Sequence, residues 1–364
     1  MANYPTKLNE VFSAQTIEIF YQKAVSDVIT NSEYEGQIRD KSSKLNVLTF
    51  GALDAQNYTG VDLTAVDLTE SNAQLVTDQA KAFYFTVKSY DTFRSYIKNP
   101  EQTIQKQTAN RLAQIVDQYV LGFYSDVAAG NRDGTDYVTG TVAVASTTGA
   151  VTGSGTTFTS GMVGKGFKAT GHTVWYRVKT YASATSITIE DDKDDETSAY
   201  TGGAISGGAS YTVQANTALT VTAATIFARI TALSTLLNNA EVPAEDRWLV
   251  LPSTVAATLK QATEYISIGS DGGREAAMNG KLPGMFAGFN IYEVSDTRCS
   301  GDNTNGFHCL GGHKSALCFA MGLTEMGVED AIGNFGKRFK SLYVYGAKVP
   351  DERRKALVEG FWKV

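Results

Sequence analysis

The chain has 364 residues, 43% hydrophobic and 19% charged, which is room for two or three domains with ample core. A net charge of -6 and a pI near 5.3 argue against a protein whose main work is gripping nucleic-acid phosphates, because that needs clustered Lys and Arg. No stretch approaches about eighteen uninterrupted apolar residues, the N-terminus lacks a signal pattern, and three cysteines, Cys299, Cys309 and Cys318, fit a reducing cytoplasm better than a disulfide framework.

Behind a polar, Pro-containing arm, Phe12, Ile17, Phe20, Ala24, Val25 and Val28 predict a short amphipathic helix from Phe12 to Ile29. Gly36 to Tyr58 switches to period two, with Leu45, Val47, Leu48 and Phe50 set among polar residues. Lys81 to Lys88 alternates cleanly, Phe83, Phe85 and Val87 on one side and Tyr84, Thr86 and Lys88 on the other. Together these predict a long two-stranded excursion. Such a ribbon is marginal alone in water and must lie on its own subunit or on a neighbour.

Asn99 to Gly130, NPEQTIQKQTANRLAQIVDQYVLGFYSDVAAG, reads as one long helix. Asn99 suits the N-cap, Pro100 the first helical position, Gln102 a capping box and Gly130 the stop. At 1.5 Å per residue it would be roughly 45 Å long. Without sustained heptads it predicts the spine of a flat subunit rather than a coiled coil. Leu112, Ile115, Tyr119 and Phe123 are expected to pack on the subunit's own strands. Arg111, Gln114 and Gln118 are left for the arm or a neighbouring subunit.

Val138 to Val213 contains no Leu and is crowded with Thr, Val, Ser and Gly, with turn signals at Thr148-Gly149, Gly153 to Gly155, Thr170-Gly171, Asp191 to Asp195 and Gly202-Gly203. It predicts a small all-β barrel or sandwich inserted as a unit. Thr220 to Asn239 returns to helix, with Ile226, Ile230, Leu233 and Leu237 on one stripe and Thr222 at the cap. A buried strand, Arg247 to Leu251, then leads through Pro-Ser-Thr into another helix. Phe286 to Val294 predicts a strand, Phe307 to Met321 a strand or short helix, and Gly322 to Val349 two strands around Gly333 and Gly336. The tail from Pro350 predicts one helical turn or less.

In this order the parts resemble the major capsid proteins of tailed bacteriophages, the α+β Johnson fold shared with encapsulin shells. The resemblance rests on SAQTIEIFYQKAVSDVITNSEYEGQIRDKSSKLNV, VTDQAKAFYFTVKSYD, VPAEDRWLVLPSTVAATLK, GMFAGFNIYEVSDT and GNFGKRFKSLYVYGAKV, five weak signals whose order and spacing carry the weight. It implies an N-terminal arm (1–35), an extended E-loop hairpin (36–95), a peripheral domain with the spine helix (96–137), the inserted β domain (138–213), a mainly axial domain (214–322), and return strands of the peripheral domain with a tail (323–364). The function implied is self-assembly into hexamers and pentamers of an icosahedral head around phage DNA, built in the host cytoplasm. Its partners would be copies of itself, a portal, a separate scaffolding protein since the arm begins so near Met1, and a decoration protein, with only weak non-specific DNA contact and no membrane. Phe83, Phe85 and Val87 would then face another copy, as would Arg111, Gln114 and Gln118. An encapsulin-like compartment shell is the alternative within the fold. The alternative outside it is an adhesin or decoration protein whose Trp175, Tyr176 and Tyr181 stack on sugars.

No catalytic, cofactor or metal site is expected, and an enzyme is the weakest reading. His172, His308 and His313 are the only histidines, and no G-x-S-x-G elbow occurs. Cys299, His308, Cys309, His313 and Cys318 lie close in sequence but lack paired zinc-ligand spacing, and read instead as a buried strand pair with two His at its edge. Gly164 to Ala169 matches G-x-G-x-x-A, yet a strand follows where a phosphate-binding helix would be needed. Asp191, Asp192, Asp194, Asp195 and Glu196 lack the central Gly of a calcium loop and read as a solvated turn.

Overall fold

The computed structural model describes residues 24–31, 44–50, 70–88, 100–193, 198–262, 285–321, 325–330 and 335–364. Its main sheet runs in the order Leu219–Thr220, Leu357–Lys363, Gly306–His313, Arg247–Pro252, Phe289–Val294, Met285–Phe286. Arg247–Pro252 is parallel to Phe289–Val294 and antiparallel to Gly306–His313. It is buried at every position, as its continuous apolar run requires of a strand covered on both faces. The helix Ile226–Asn239 turns Ile226, Ile230, Leu233 and Leu237 into the same core, each fully buried, and the helix Ser253–Lys260 follows the central strand directly.

The tail departs from its reading. Instead of one helical turn, Asp351–Ala356 forms a 3-10 turn and Leu357–Lys363 a strand deep in the main sheet, with Trp362 fully buried. A short apolar run such as LVEGFW carries no period that separates strand from helix, and two flanking strands decide it.

The long helix is also shorter than its reading. It is α-helical over Pro100–Leu121, about 33 Å, and tightens into a 3-10 turn over Gly122–Asp126. Beyond it Arg132 Nη2 donates to the carbonyls of Ser125 (2.9 Å) and Val127 (3.0 Å), which a continuing helix would have used itself. Gly130 has φ +103° with the Trp175 ring against it, so that a Cβ there would lie 2.8 Å from Cδ1. Asn99 lies outside the described residues, as do the side chains of the helix's first turns. The apolar face packs as expected for Leu112, Tyr119 and Phe123, joined by Val116 and Val120; Ile115 is half-buried. Tyr119 meets Phe123 and Tyr345 edge-on at 5.3 and 5.4 Å.

The ribbon pairs differently from its reading. Lys44–Phe50 runs antiparallel to Glu70–Val76, whereas Gln79–Lys88 leaves the ribbon after Thr77 and Asp78 and runs antiparallel to Gly336–Lys348, with Phe85 opposite Phe339. Gly336–Lys348 also pairs with Glu325–Asp330 and Cys318–Met321. Alternation reports which face of a strand is apolar, not which strand lies beside it.

The Thr- and Val-rich segment folds around a core of its own. Its eight strands run in the order Ile205–Ala209, Thr141–Val144, Ala150–Ser154, Ser186–Asp191, Tyr176–Ser183, Gly166–Ala169, Tyr211–Thr217, Thr135–Tyr137. Phe158, Phe167, Val178, Ile187, Ile189 and Val213 fill the interior, and residues from both end strands, Ile205 and Tyr137, pack on it. A sheet whose two ends reach one core must coil around it.

Candidate assembly surfaces

Asp117 lies in mid-helix with only 1% of its surface exposed. Its carboxylate accepts the backbone N–H groups of Val25 (3.1 Å) and Ser26 (2.9 Å) and faces Arg298 Nη1 at 2.5 Å, Arg298 being 4% exposed. Val25 and Ile29 enter the main core beside it, and Asn31 bridges to Cys318. One buried ion pair therefore fastens the end of the arm across the helix. In sequence Asp117 is one more polar residue of the long helix. The available signal was its helical neighbourhood, since Ala113, Gln114, Val120 and Leu121 stand at the three- and four-residue steps and none is a cation.

On the neighbouring helical face Arg111 donates to Gln114 (2.9 Å) and Gln118 donates to the Thr297 carbonyl (2.8 Å), so Gln114 and Gln118 already have bonds within the chain. Arg111 and Gln118 are exposed and Gln114 is half-buried. The strand Gln79–Lys88 places Phe85 stacked on Phe339 with ring centres 5.0 Å apart, Phe83 edge-on to Tyr343 at 6.3 Å, and Val87 half-buried opposite Lys337. The face carrying Phe83, Phe85 and Val87 thus has partners in its own chain, and Phe83 packs against the main core. The opposite face is the open one, with Tyr84 64% and Leu342 37% exposed. Where the sheet meets the long helix, Phe85, Ala109, Val328, Phe339 and Tyr343 line an apolar groove of about 220 Å³.

The β-rich segment joins the main sheet through charge. Asp192 accepts the Ala129 N–H (2.5 Å) and lies 2.9 Å from Arg354, whose Nε donates to the Asp126 carbonyl. Gln214 accepts from Gly130 N–H (2.7 Å) and donates to the Arg132 carbonyl (2.8 Å). Below this, fully buried Glu359 pairs with Arg132 at 2.9 Å and with His308 Nδ1 at 2.5 Å, while Lys165 lies 4.7 Å from the Phe361 ring centre. His308 is stacked between Tyr124 (3.9 Å) and Phe361 (4.4 Å). Burial opposes ionisation of Glu359, but Arg132, the His308 hydrogen bond and Lys165 outweigh it and hold the carboxyl below its ordinary range. Asp192, read as part of a solvated turn, is therefore a junction residue. Asp191 instead accepts from Thr201, and residues 194–196 lie outside the described residues.

Burial pushes the Cys299 thiol up to about 12 and that of Cys309 well above its ordinary value, whereas zinc takes thiolates. Among the described residues no group of three His, Cys, Asp or Glu side chains is placed to share a metal. Gly166–Ala169 is a strand, so no helix N-terminus follows the glycines. Of the aromatic trio, Tyr176 is buried, Trp175 covers Gly130 and Tyr181 is 39% exposed. Among the described residues no helix is long and apolar enough to cross a membrane.

No family model and no curated protein matches the sequence. Solved structures do. A chain of Mycobacterium phage Che8 superposes with a TM-score of 0.63 at 17% identity, over 98% of this chain and 97% of that one. The capsid structure of cyanophage P-SCSP1u superposes at 0.59 with 14% identity, over 98% and 93%. The capsid asymmetric unit of cyanophage Pam1 superposes at 0.59 with 12% identity, over 100% and 99%. Over essentially its whole length, this chain carries the α+β fold of phage capsid subunits.

Proposed function

We propose that this chain is the coat subunit of a tailed-phage head, a structural protein whose hexamers and pentamers tile an icosahedral shell around packaged DNA. The observation that carries the reading is the end-to-end superposition on phage capsid chains, since a match confined to one sheet would leave the remainder free for another task. In Johnson-fold terms Pro100–Leu121 is the spine helix, the ribbon Lys44–Phe50 with Glu70–Val76 belongs to the E-loop, and Thr135–Thr217 is the inserted β domain. The main sheet is the axial domain, and the sheet around Gly336–Lys348 the peripheral domain. The net charge of -6 supports a wall that holds DNA weakly, so that packing and release are not opposed.

Subunit contacts are assigned to the surfaces the chain leaves open: the Tyr84 and Leu342 face, the rim of Phe85 and Val87, and Arg111 with Gln118. Portal, scaffolding and decoration proteins are the partners this role calls for. The phage origin of the matched structures favours a head over a cargo compartment, and superposition along the whole chain favours a shell subunit over an adhesin. Electron microscopy of the purified protein tests the reading. Closed shells are expected, and a discrete monomer under every assembly condition would overturn it.

A further inference from the structure

Phe335 stands at the start of the long strand Gly336–Lys348 with 91% of its surface in solvent, far beyond any other large hydrophobic side chain among the described residues. Scattered exposed apolar residues need no explanation. What sets this one apart is a hole of matching size on the same molecule. The groove lined by Phe85, Ala109, Val328, Phe339 and Tyr343 measures about 220 Å³. Apolar cavities of roughly 150 Å³ already take up a benzene ring. Its floor is apolar, Phe339 being 8% exposed, and Val328, 57% exposed, stands in its lining together with the polar Thr108, Lys340 and Ser341.

Phe335 cannot fill the groove of its own chain. It precedes Phe339 by four residues on one extended run, about 13 Å along the strand at 3.3 Å per residue, and Phe339 is locked in register with both Phe85 and Val328. A second copy can supply what the first cannot, because every copy carries both ring and groove. A contact of this kind repeats around a rotation axis and closes where the geometry allows. We infer that Phe335 of one copy seats in the groove between the long helix and the Gly336–Lys348 sheet of another, as the apolar anchor of a contact between copies. The inference rests on the shell reading, which it deepens by naming one of the contacts.

Cysteine pairing across the contact tests it. Copies carrying only Phe335→Cys are mixed with copies carrying only Ala109→Cys, assembled and oxidised; the three native cysteines are buried and stay silent. Both positions are exposed, so neither change threatens folding. A covalent dimer is expected from the mixture and from neither variant alone. Phe335→Ala should raise the protein concentration needed for assembly on the order of tenfold, as loss of a buried aromatic anchor does. Closed shells by microscopy with no cross-linked dimer would overturn this contact while leaving the shell reading intact. Shells are therefore scored with the wild-type chain under the same conditions: a cross-linked dimer while the wild type forms no shells would keep the contact and overturn the shell, and neither cross-link nor wild-type shells would overturn both.

Discussion

Removing the Asp117 carboxylate should cost more than any surface charge in the molecule and should free the arm. In Asp117→Ala, Arg298 loses this carboxylate while still buried, and the N–H groups of Val25 and Ser26 lose their acceptor. Breaking one side of a buried ion pair costs about 3–5 kcal/mol, a large part of the roughly 5–15 kcal/mol that holds a domain folded. The burial of Val25 and Ile29, about 1.5–3 kcal/mol each, is at risk with it, since both are carried by the backbone that Asp117 grips. Urea unfolding of the unassembled subunit reads the first effect. Thermolysin, which cuts beside Val and Ile, reads the second as faster cleavage within residues 24–31. The double variant Asp117→Leu with Arg298→Met separates the two, because replacing both charges by apolar groups of similar size is often near neutral in stability, while the arm still lacks its acceptor. An Asp117→Ala protein within about 0.5 kcal/mol of wild type, with unchanged thermolysin cleavage, would refute the reasoning.

Gly130→Ala should destabilise by about 1–2 kcal/mol, since the position combines φ +103° with a Trp175 contact at 2.8 Å. In a Trp175→Ala background only the backbone part should remain, and a double-mutant cycle by denaturant unfolding measures the difference. Glu359→Gln should lose about 3–5 kcal/mol at pH 7, because Arg132 and His308 would face a neutral amide. The folded carboxyl titrates below its ordinary value near 4.5, so its contribution is full above that pH and is lost as pH falls through the lower folded value. The gap between wild type and variant, followed by unfolding from neutral to acid pH, should therefore close on the acid side. A gap that stays constant to pH 2 would contradict the assignment.

Much of the architecture was legible in local pattern. The stripe Ile226, Ile230, Leu233, Leu237, the buried strand at Arg247 followed by a helix from Ser253, and the strand-rich character of the Leu-free segment all appear where period and composition placed them. These are properties of a few adjacent residues, because a face is apolar or polar whatever lies against it. What the chain order could not supply was the identity of partners. The segment Glu70–Val76 rather than Lys81 to Lys88 completes the ribbon, and the last seven strand residues lie inside the main sheet. Asp117, Asp192 and Glu359 are joined to residues far away in sequence: Asp117 is 181 residues from Arg298, and His308 is 51 from Glu359. A carboxylate reads the same in sequence whether water or a guanidinium surrounds it. Only the folded chain excludes the water, and that exclusion turns three ordinary acids into the fastenings of the arm and of the β-rich segment.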